Sequence, residues 1–509
     1  MLAYGAVEFY IEKMQESLPN TYPFPRVIGT EEETGLLVGL DGIYDEPYDL
    51  CDSLSVYLPE SLKGQGQDEY LINGFRIYSG GTDGIPRDNT NLERATPETI
   101  SPWQLAEYSR GSELLIEEVL KNYAFKQADY YKNDVDIRMH RRVVDAFANR
   151  KGCHDNYSVE EDFIERKLMP QSLDYLLSAR SLIIGAGLVT ENGYRYAQKI
   201  DGLSSVYGYG HFGSMYRTDK EHGSRLEIRC SDQNISDWAT VMRVGSVALL
   251  LALHQTPLGQ ELEQSFKLEQ SFKNTKSEKA ILKEAKKLNS ATILGSDEIN
   301  LSKAQLQGID FVEQLAILTM DKLQLYADLP ISYHTIAKEL LNFCVDLRKV
   351  EKNEEHFSIL ADRADWAAKL SVIQHSIERD RSFGIKRELG DYASQAADMN
   401  YDMVRITRSP DDDKEQVRRG SGYRLREKGA FKYTVSESAI QTAYNKAPTQ
   451  TRAHARAYLL KNYFSKHCYW HKVFVGDSSP ATIELNNVNL PDLGQEDIEV
   501  ISLIEKLGS

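Results

Sequence analysis

Cysteine is scarce: Cys51, Cys153, Cys230, Cys344 and Cys468 are the only five in 509 residues, and no two form a CxxC pair. That scatter argues against a disulfide framework and against a cysteine-built zinc site. No apolar run approaches the roughly 18 residues a membrane-spanning helix needs. The longest candidate, 244–254, is interrupted by Gly245 and has the length of a core helix. The first residues lack the basic start, apolar middle and small-residue cleavage site of a signal peptide, so the expected location is the cytoplasm. Basic residues are outnumbered, 60 Lys and Arg against 76 Asp and Glu, for a net charge of −16. A general nucleic-acid binder needs the opposite balance to neutralise phosphates. One local duplication, Glu263-Gln-Ser-Phe-Lys267 and Glu269-Gln-Ser-Phe-Lys273, lies in a charged helical stretch and reads as a surface arm, not a solenoid repeat.

What is present is an ordinary globular composition, 41% hydrophobic and 27% charged, over a length that suits a large catalytic domain with appended parts. After a short helix at 7–17, Pro23 and Pro25 fix an extended approach to a strand beginning at Arg26. That strand carries Ile28-Gly-Thr-Glu31-Glu32-Glu33-Thr-Gly35. A period of two sends Glu31 and Glu33 to one face, where two close carboxylates repel unless a cation is bound. A hard divalent ion such as Mg2+ is the usual remedy; the same run would also read as a solvated, acidic strand end.

Further candidates follow in order. Residues 70–78 read as a strand, leading into 87–99 with Asp88, Glu93 and Glu98 outside any helix; a turn rich in Asp and Asn is the plain alternative. Ser101 caps and Pro102 opens a helix to about Tyr123. Gly152-Cys-His154-Asp-Asn156-Tyr157 gathers imidazole, carboxylate and amide, with a satisfied structural histidine as its plain reading. A helix is expected over 160–180. Gly185-Ala-Gly187, without a following lysine, reads as close backbone approach inside a sheet. Arg225-Leu-Glu227-Ile-Arg229 alternates, so its three charges share a strand face: a ligand for metal flanked by two arginines for anionic oxygens, or an exposed edge ladder. Residues 237–254 read as a buried helix and 260–410 as helical throughout, with Asp365 and Lys369 spaced for an i,i+4 salt bridge. The run 409–413, Ser-Pro-Asp-Asp-Asp, marks a domain boundary, giving a catalytic domain at 1–408 and a small C-terminal domain at 414–509. Trp366 and Trp470 read as packing residues.

Brought together on a sheet, Glu31, Glu33, Glu93, Glu98, His154 and Glu227 would hold two or three divalent ions against ATP, and Arg225 and Arg229 would neutralise the transferring phosphate. That is phosphoryl chemistry on a carboxylate. The Glu31/Glu33 pair, Gly152 to Tyr157, and Arg225 to Arg229 followed by Ser231-Asp232 resemble the glutamine synthetase-like carboxylate-amine ligases. The order of Ile28–Gly35, Asn73–Tyr78, Asp88–Glu98, Gly152–Tyr157, Gly185–Gly187, Arg225–Asn234, Asp365-Trp366 and Thr451-Arg452-Ala453 resembles, more specifically, the Pup ligases and depupylases, over about residues 26–475.

The resemblance implies an α+β fold, a curved antiparallel cradle backed by helices with a small C-terminal domain alongside. It implies an ATP- and Mg2+-dependent enzyme that makes or breaks an isopeptide bond between the C-terminal Glu or Gln of a Pup-like modifier and a target lysine. By the same resemblance Glu31, Glu33, Glu93, Glu98, His154 and Glu227 are metal ligands, and Asn156, Arg217, Arg225 and Arg229 bind nucleotide. The family's catalytic aspartate would fall at Gly80; counting back from Glu93 gives Asp88 instead, with Asp83 as second choice. Glu227 stands where Pup enzymes carry histidine and matches the ligand of glutamine synthetases. Gly29-Thr30-Glu31 and Thr96-Pro97-Glu98 lean toward depupylase, and the modest gap from Glu33 to Asn73 toward ligase. A small-molecule glutamate-amine ligase and a catalytically inactive ATP-binding relative are the competing functions.

Overall fold

In the computed structural model, the described residues are 27–485 without 41, 46–49, 51–53, 67–68, 81–90, 143–150, 160–170, 192, 200–204, 208–213, 220–224, 255–257, 260–261, 263–300, 302, 323–330, 411–414, 466 and 477–480. The expected helix at 7–17, the duplication at 263–273, and both Asp83 and Asp88 lie outside them.

Strand β1 (Ile28–Leu40) is the hub. Its first half pairs antiparallel with β6 (Cys153–Ser158), its middle with β4 (Asn91–Ala95), and its second half with β5 (Val135–His140) and β2 (Ile43–Asp45). β3 (Arg76–Gly80) adds to β4. Beyond β6 the sheet continues through β11 (Arg225–Ile228), β10 (Ser214–Asp219) and β9 (Ser205–Tyr207). On the β5 side it continues through β12 (Met403–Arg408) and β13 (Gln416–Arg419). The eleven strands pair antiparallel except for β9 with β10. Only the second half of the expected 70–78 strand is ladder; Tyr70 and Leu71 make isolated bridges around a turn at Gly74.

Helices cover one face. α1 (Pro102–Tyr131) starts as the sequence dictates, with the Ser101 hydroxyl accepting from the Gln104 amide at 3.0 Å and Pro102 where a missing N–H costs nothing, but it runs past Tyr123. α2 (Gln171–Ile184) and α3 (Asp237–His254) pack with α4 (Lys303–Lys322) and α5 (Ile331–Glu351) into the main core. α3 matches its expected limits and is buried on every side except at His254. α6 (Asp365–Ser382) brings in Trp366, which is fully buried, donates to the Leu182 carbonyl at 2.7 Å and meets Tyr196 edge-on.

Three expectations are corrected. Gly185 and Gly187 sit at the α2 terminus and in the turn to β7 (Leu188–Thr190), which pairs with β8 (Gly193–Arg195); they are not inside a sheet. Gly187 has φ +66°, and a Cβ there would meet the Tyr194 hydroxyl at 1.7 Å. Asp365 does not pair with Lys369. It accepts from the amides of Ile235 and Ser236 and from Asn234 ahead of α3, while Lys369 reaches Asp398 at 2.9 Å. Long-range donors of fixed geometry outcompeted a local pair worth only about 0.3–0.5 kcal/mol. Finally, 260–410 is not helical throughout: after α7 (Tyr392–Tyr401) the chain enters β12, and the expected boundary at 409–413, of which only Ser409 and Pro410 are described, lies in sequence between β12 and β13, two paired strands of the main sheet.

The chain after that hairpin, α8 (Ser421–Glu427) and α9 (Glu437–Asn445), packs back on the large unit, with α9 against α1. The separate small unit starts later, at Thr451. It consists of α10 (Arg452–Asn462) and a sheet of β14 (His467–Tyr469), β15 (Lys472–Val475) and β16 (Ala481–Glu484), with its own core around Tyr70, Leu459, Leu460 and Val473. Trp470 packs edge-on against Tyr70. Among the described residues no helix is long and apolar enough to cross a membrane.

Candidate active site

Alternation along β1 splits its three glutamates between the two faces of the sheet. Glu32 faces the helices, where it is 2% exposed and meets Arg94, Arg141 (3.2 Å) and Arg243 (3.4 Å). Burial alone would raise its pKa; the three guanidiniums outweigh that and pull it down to about 2. Arg243 continues to Asp155 at 3.0 Å, which is also held by Arg180 and by the Ser231 hydroxyl at 2.6 Å. This buried lattice fixes β1, β6 and α3 to one another from behind.

Glu31 and Glu33 face the other way. In register, Glu31 lies opposite His154, Glu33 opposite Glu93, and Glu227 opposite Asn156, so all of them share that face. His154 Nδ1 is 3.1 Å from Glu227 and 3.5 Å from Glu31, and its Nε2 is 3.9 Å from Glu33. Arg225 stands 3.5 Å from Glu31, and Arg229 3.7 Å from Glu227. Burial would lower the His154 pKa, but Glu227 and Glu31 lift it to about 9, and Glu227 is held well below the usual carboxylate range chiefly by His154. Glu93 goes the other way, pushed up to about 7 by burial and by the Glu33 charge. Its partner is the Tyr78 hydroxyl of β3.

Donor atoms of Glu31, His154 and Glu227 lie within 4.8 Å of one another, as a single ion requires. Asn156 Oδ1, buried on the same face, has no hydrogen-bond partner among the described residues. Carboxylates, an imidazole, an unsatisfied amide oxygen and two arginines form a donor set that fits a divalent cation with a phosphorylated ligand.

The structure brings together Glu31, Glu33, Glu93, His154, Asn156, Arg225, Glu227 and Arg229. Arg217 is placed only by backbone register, opposite Glu227. Glu98 is not with them. Both its oxygens are taken by the small unit, Oε1 by Arg452 Nε at 2.8 Å and Oε2 by Arg456 at 2.7 Å, and its carbonyl accepts from Thr451 at 2.8 Å. A carboxylate so occupied is a clamp between domains, not a metal ligand. Burial opposes its ionisation, yet Arg456 and Arg452 hold its pKa down to about 2. A folded-state pKa below the unfolded value of about 4.5 means that the clamp is fully present above that pH and lost as pH falls through about 2. Limited proteolysis of the small unit is therefore expected to be flat from pH 8 to pH 5 and to accelerate only well below pH 4; acceleration already at pH 6 would contradict this assignment.

Sequence reasoning missed Gly152, Tyr78 and Glu32. The Gly152 amide donates to Glu33 Oε2 at 2.7 Å, and a Cβ at this position would stand 2.6 Å from both Glu33 Oε1 and His154 Nε2. Only glycine lets those two side chains close over the backbone. Tyr78 was within reach, since it alternates with Arg76 on a strand flanking the acidic one.

The family described as "Pup-ligase protein" matches residues 48–474. A Pup–protein ligase of Bifidobacterium longum subsp. infantis is 26% identical over 363 residues, 68% of this chain and 70% of that one. The solved complex of prokaryotic ubiquitin-like protein Pup with its ligase PafA superposes at TM-score 0.70 and 20% identity, over 94% of this chain and 92% of that chain. PafA in complex with ADP superposes at TM-score 0.64 and 20% identity, over 89% and 92%. The α+β cradle with a small C-terminal unit is thus the fold of a Pup ligase.

Proposed function

The chain belongs to the Pup-ligase protein family, and from that membership we propose that it makes or breaks an isopeptide bond between the C-terminal Glu or Gln of a Pup-like modifier and a lysine of a target protein, in the cytoplasm and with ATP. The observation that carries the reading is the shared face of Glu31, Glu33, Glu93, His154 and Glu227 flanked by Arg225 and Arg229. The ADP complex of the similar PafA supports the nucleotide.

Glu31, His154 and Glu227 would hold Mg2+, with Glu33 and Glu93 completing a second position. Bound there, the ion would neutralise charge on the transferring phosphoryl group. Arg225 and Arg229 supply fixed positive charge to phosphate oxygens, and Asn156 Oδ1 accepts from the ligand. Burial of Glu33, His154 and Glu227, each under 10% exposed, keeps water from competing at those positions. In the ligation direction the side-chain carboxylate of the modifier's C-terminal Glu takes the γ-phosphoryl group of ATP, releasing ADP; the lysine nitrogen then attacks the acyl carbon, phosphate leaves, and Asp88 takes the proton. In the cleavage direction Asp88 either activates water or itself attacks the amide carbonyl; the C–N bond to the lysine breaks, the amine leaves with a proton, and where Asp88 was the nucleophile water hydrolyses the acyl–aspartate to restore it.

The test is intact-mass analysis after incubating the chain with ATP, Mg2+, a lysine-bearing protein and a small protein ending in Glu or Gln, beside Asp88→Asn. ADP with an amide-linked conjugate, absent in Asp88→Asn, establishes ligation. Loss of a preformed conjugate, or Gln-to-Glu conversion, without stoichiometric ADP establishes cleavage. Turnover of free glutamate with an amine instead would move the chain to small-molecule ligation, and ATP binding with no product would make it an inactive relative.

A further inference from the structure

Lys199 is buried, with 8% exposure, and no role described above uses it. Taking an ammonium out of water costs several kcal/mol unless hydrogen bonds and charge match it. Both ends of this residue are held. Asp232, 2% exposed, accepts from the amides of Ala186 at 3.0 Å, Gln198 at 2.9 Å and Lys199 at 2.9 Å, which fixes the root of the side chain. At the other end Nζ donates to the Lys151 carbonyl at 2.9 Å.

The peptide that owns this carbonyl is the one whose N–H, on Gly152, donates to Glu33 Oε2 at 2.7 Å. One peptide unit is therefore gripped between an ammonium on its oxygen and a carboxylate on its nitrogen. Both hydrogen bonds are charge-assisted, and each polarises the amide in the sense that strengthens the other. The other oxygen of Glu33, Oε1, is the one turned to His154. Gln233 adds a strap, its Nε2 donating to the Glu33 carbonyl, and the Glu33 amide donates to the Gly152 carbonyl at 2.9 Å.

We propose that Lys199 is a positioning residue for the metal site: through the 151–152 peptide it sets the rotamer of Glu33 so that Oε1 faces His154 and the ion. This rests on the reading of that face as a divalent-cation site. Groups that orient a ligand from behind typically govern metal affinity by about 10–100-fold.

The experiment is calorimetric titration of Mn2+ into the full-length chain, for the parent and for Lys199→Met, Lys199→Gln and Lys199→Arg, with circular dichroism and melting on each. Lys199→Met is expected to weaken Mn2+ by about 10–100-fold. Lys199→Arg, which keeps a cation and a donor for the Lys151 carbonyl, should stay close to the parent, with Lys199→Gln between them. A purely structural role would lower the melting temperature and leave the affinity alone, and Lys199→Met binding as tightly as the parent overturns the inference. Should Lys199→Met not fold, equal affinities for Lys199→Gln and Lys199→Arg overturn it equally well. A parent that binds no Mn2+ removes the metal reading itself, and this inference with it.

Discussion

Glu93→Gln is expected to cost turnover roughly a hundred- to a thousandfold, the scale of losing one preorganised electrostatic group at a reacting centre, and yet to melt no lower than the parent in metal-free buffer. The two halves have one cause. Glu93 is pushed up to about 7 by burial and by Glu33, so its ionised form is disfavoured in the folded chain. With the folded pKa above the unfolded value, the penalty is absent below about pH 4.5 and complete above about pH 7. An amide is uncharged at every pH and still accepts from Tyr78. Melting in EDTA should therefore favour the variant at pH 8 and converge with the parent near pH 5, while the ATP-dependent assay falls. Undiminished turnover would exclude Glu93 from the site, and a variant several degrees less stable at pH 8 would mean that the carboxylate is welcomed there. Sites that store repulsion for a cation to relieve trade stability for function in this way.

Glu32→Ala, one residue from two candidate ligands, is expected to do the reverse of a ligand substitution and strike the fold itself. It leaves Arg94, Arg141 and Arg243 buried without their shared carboxylate, and breaking a buried pair in this way costs about 3–5 kcal/mol. Urea unfolding should show that loss as an earlier midpoint. Glu113 is 2.6 Å from Arg141 and Asp155 is 3.0 Å from Arg243, so two of the three arginines keep a second partner. A midpoint within error of the parent would mean that those carboxylates absorb the arginines. The expected dependence on acid has the same sign as for the Glu98 clamp: with Glu32 held at about 2, its contribution persists to pH 5 and fades only below the unfolded value of about 4.5.

Those adjacent glutamates also mark how far the sequence could be read. Alternation alone assigned Glu31 and Glu33 to one face, and the same rule applied to 225–229 placed Glu227 between two arginines; both readings agree with the register. The α3 boundaries were legible because an apolar run of helical length has few other solutions. Where local rules failed, distant partners had intervened. Glu98 looked like one more acid near Glu93, but the two guanidiniums that take its oxygens come from α10, far along the chain. Asp365 and Lys369 had ideal spacing, and each found a buried partner elsewhere. β12, Met403 to Arg408, alternates as a half-buried strand should, but it is six residues long and follows a series of helices, so its pairing with β5 was masked by context. Lys199 and Gly152 act through backbone atoms, which side-chain patterns do not report.

β1 meets β2, β4, β5 and β6, whose residues are synthesised progressively later than its own, and the face it builds is completed only by β11. A ribosome therefore releases this strand long before its ladder can close. Contacts of high sequence separation slow folding and prolong exposure of unpaired edges. The second half of the strand, Leu36-Leu37-Val38-Gly39-Leu40, is the kind of apolar segment that associates with other chains while it waits. The three consecutive negative charges just upstream are the kind of flank that opposes such association.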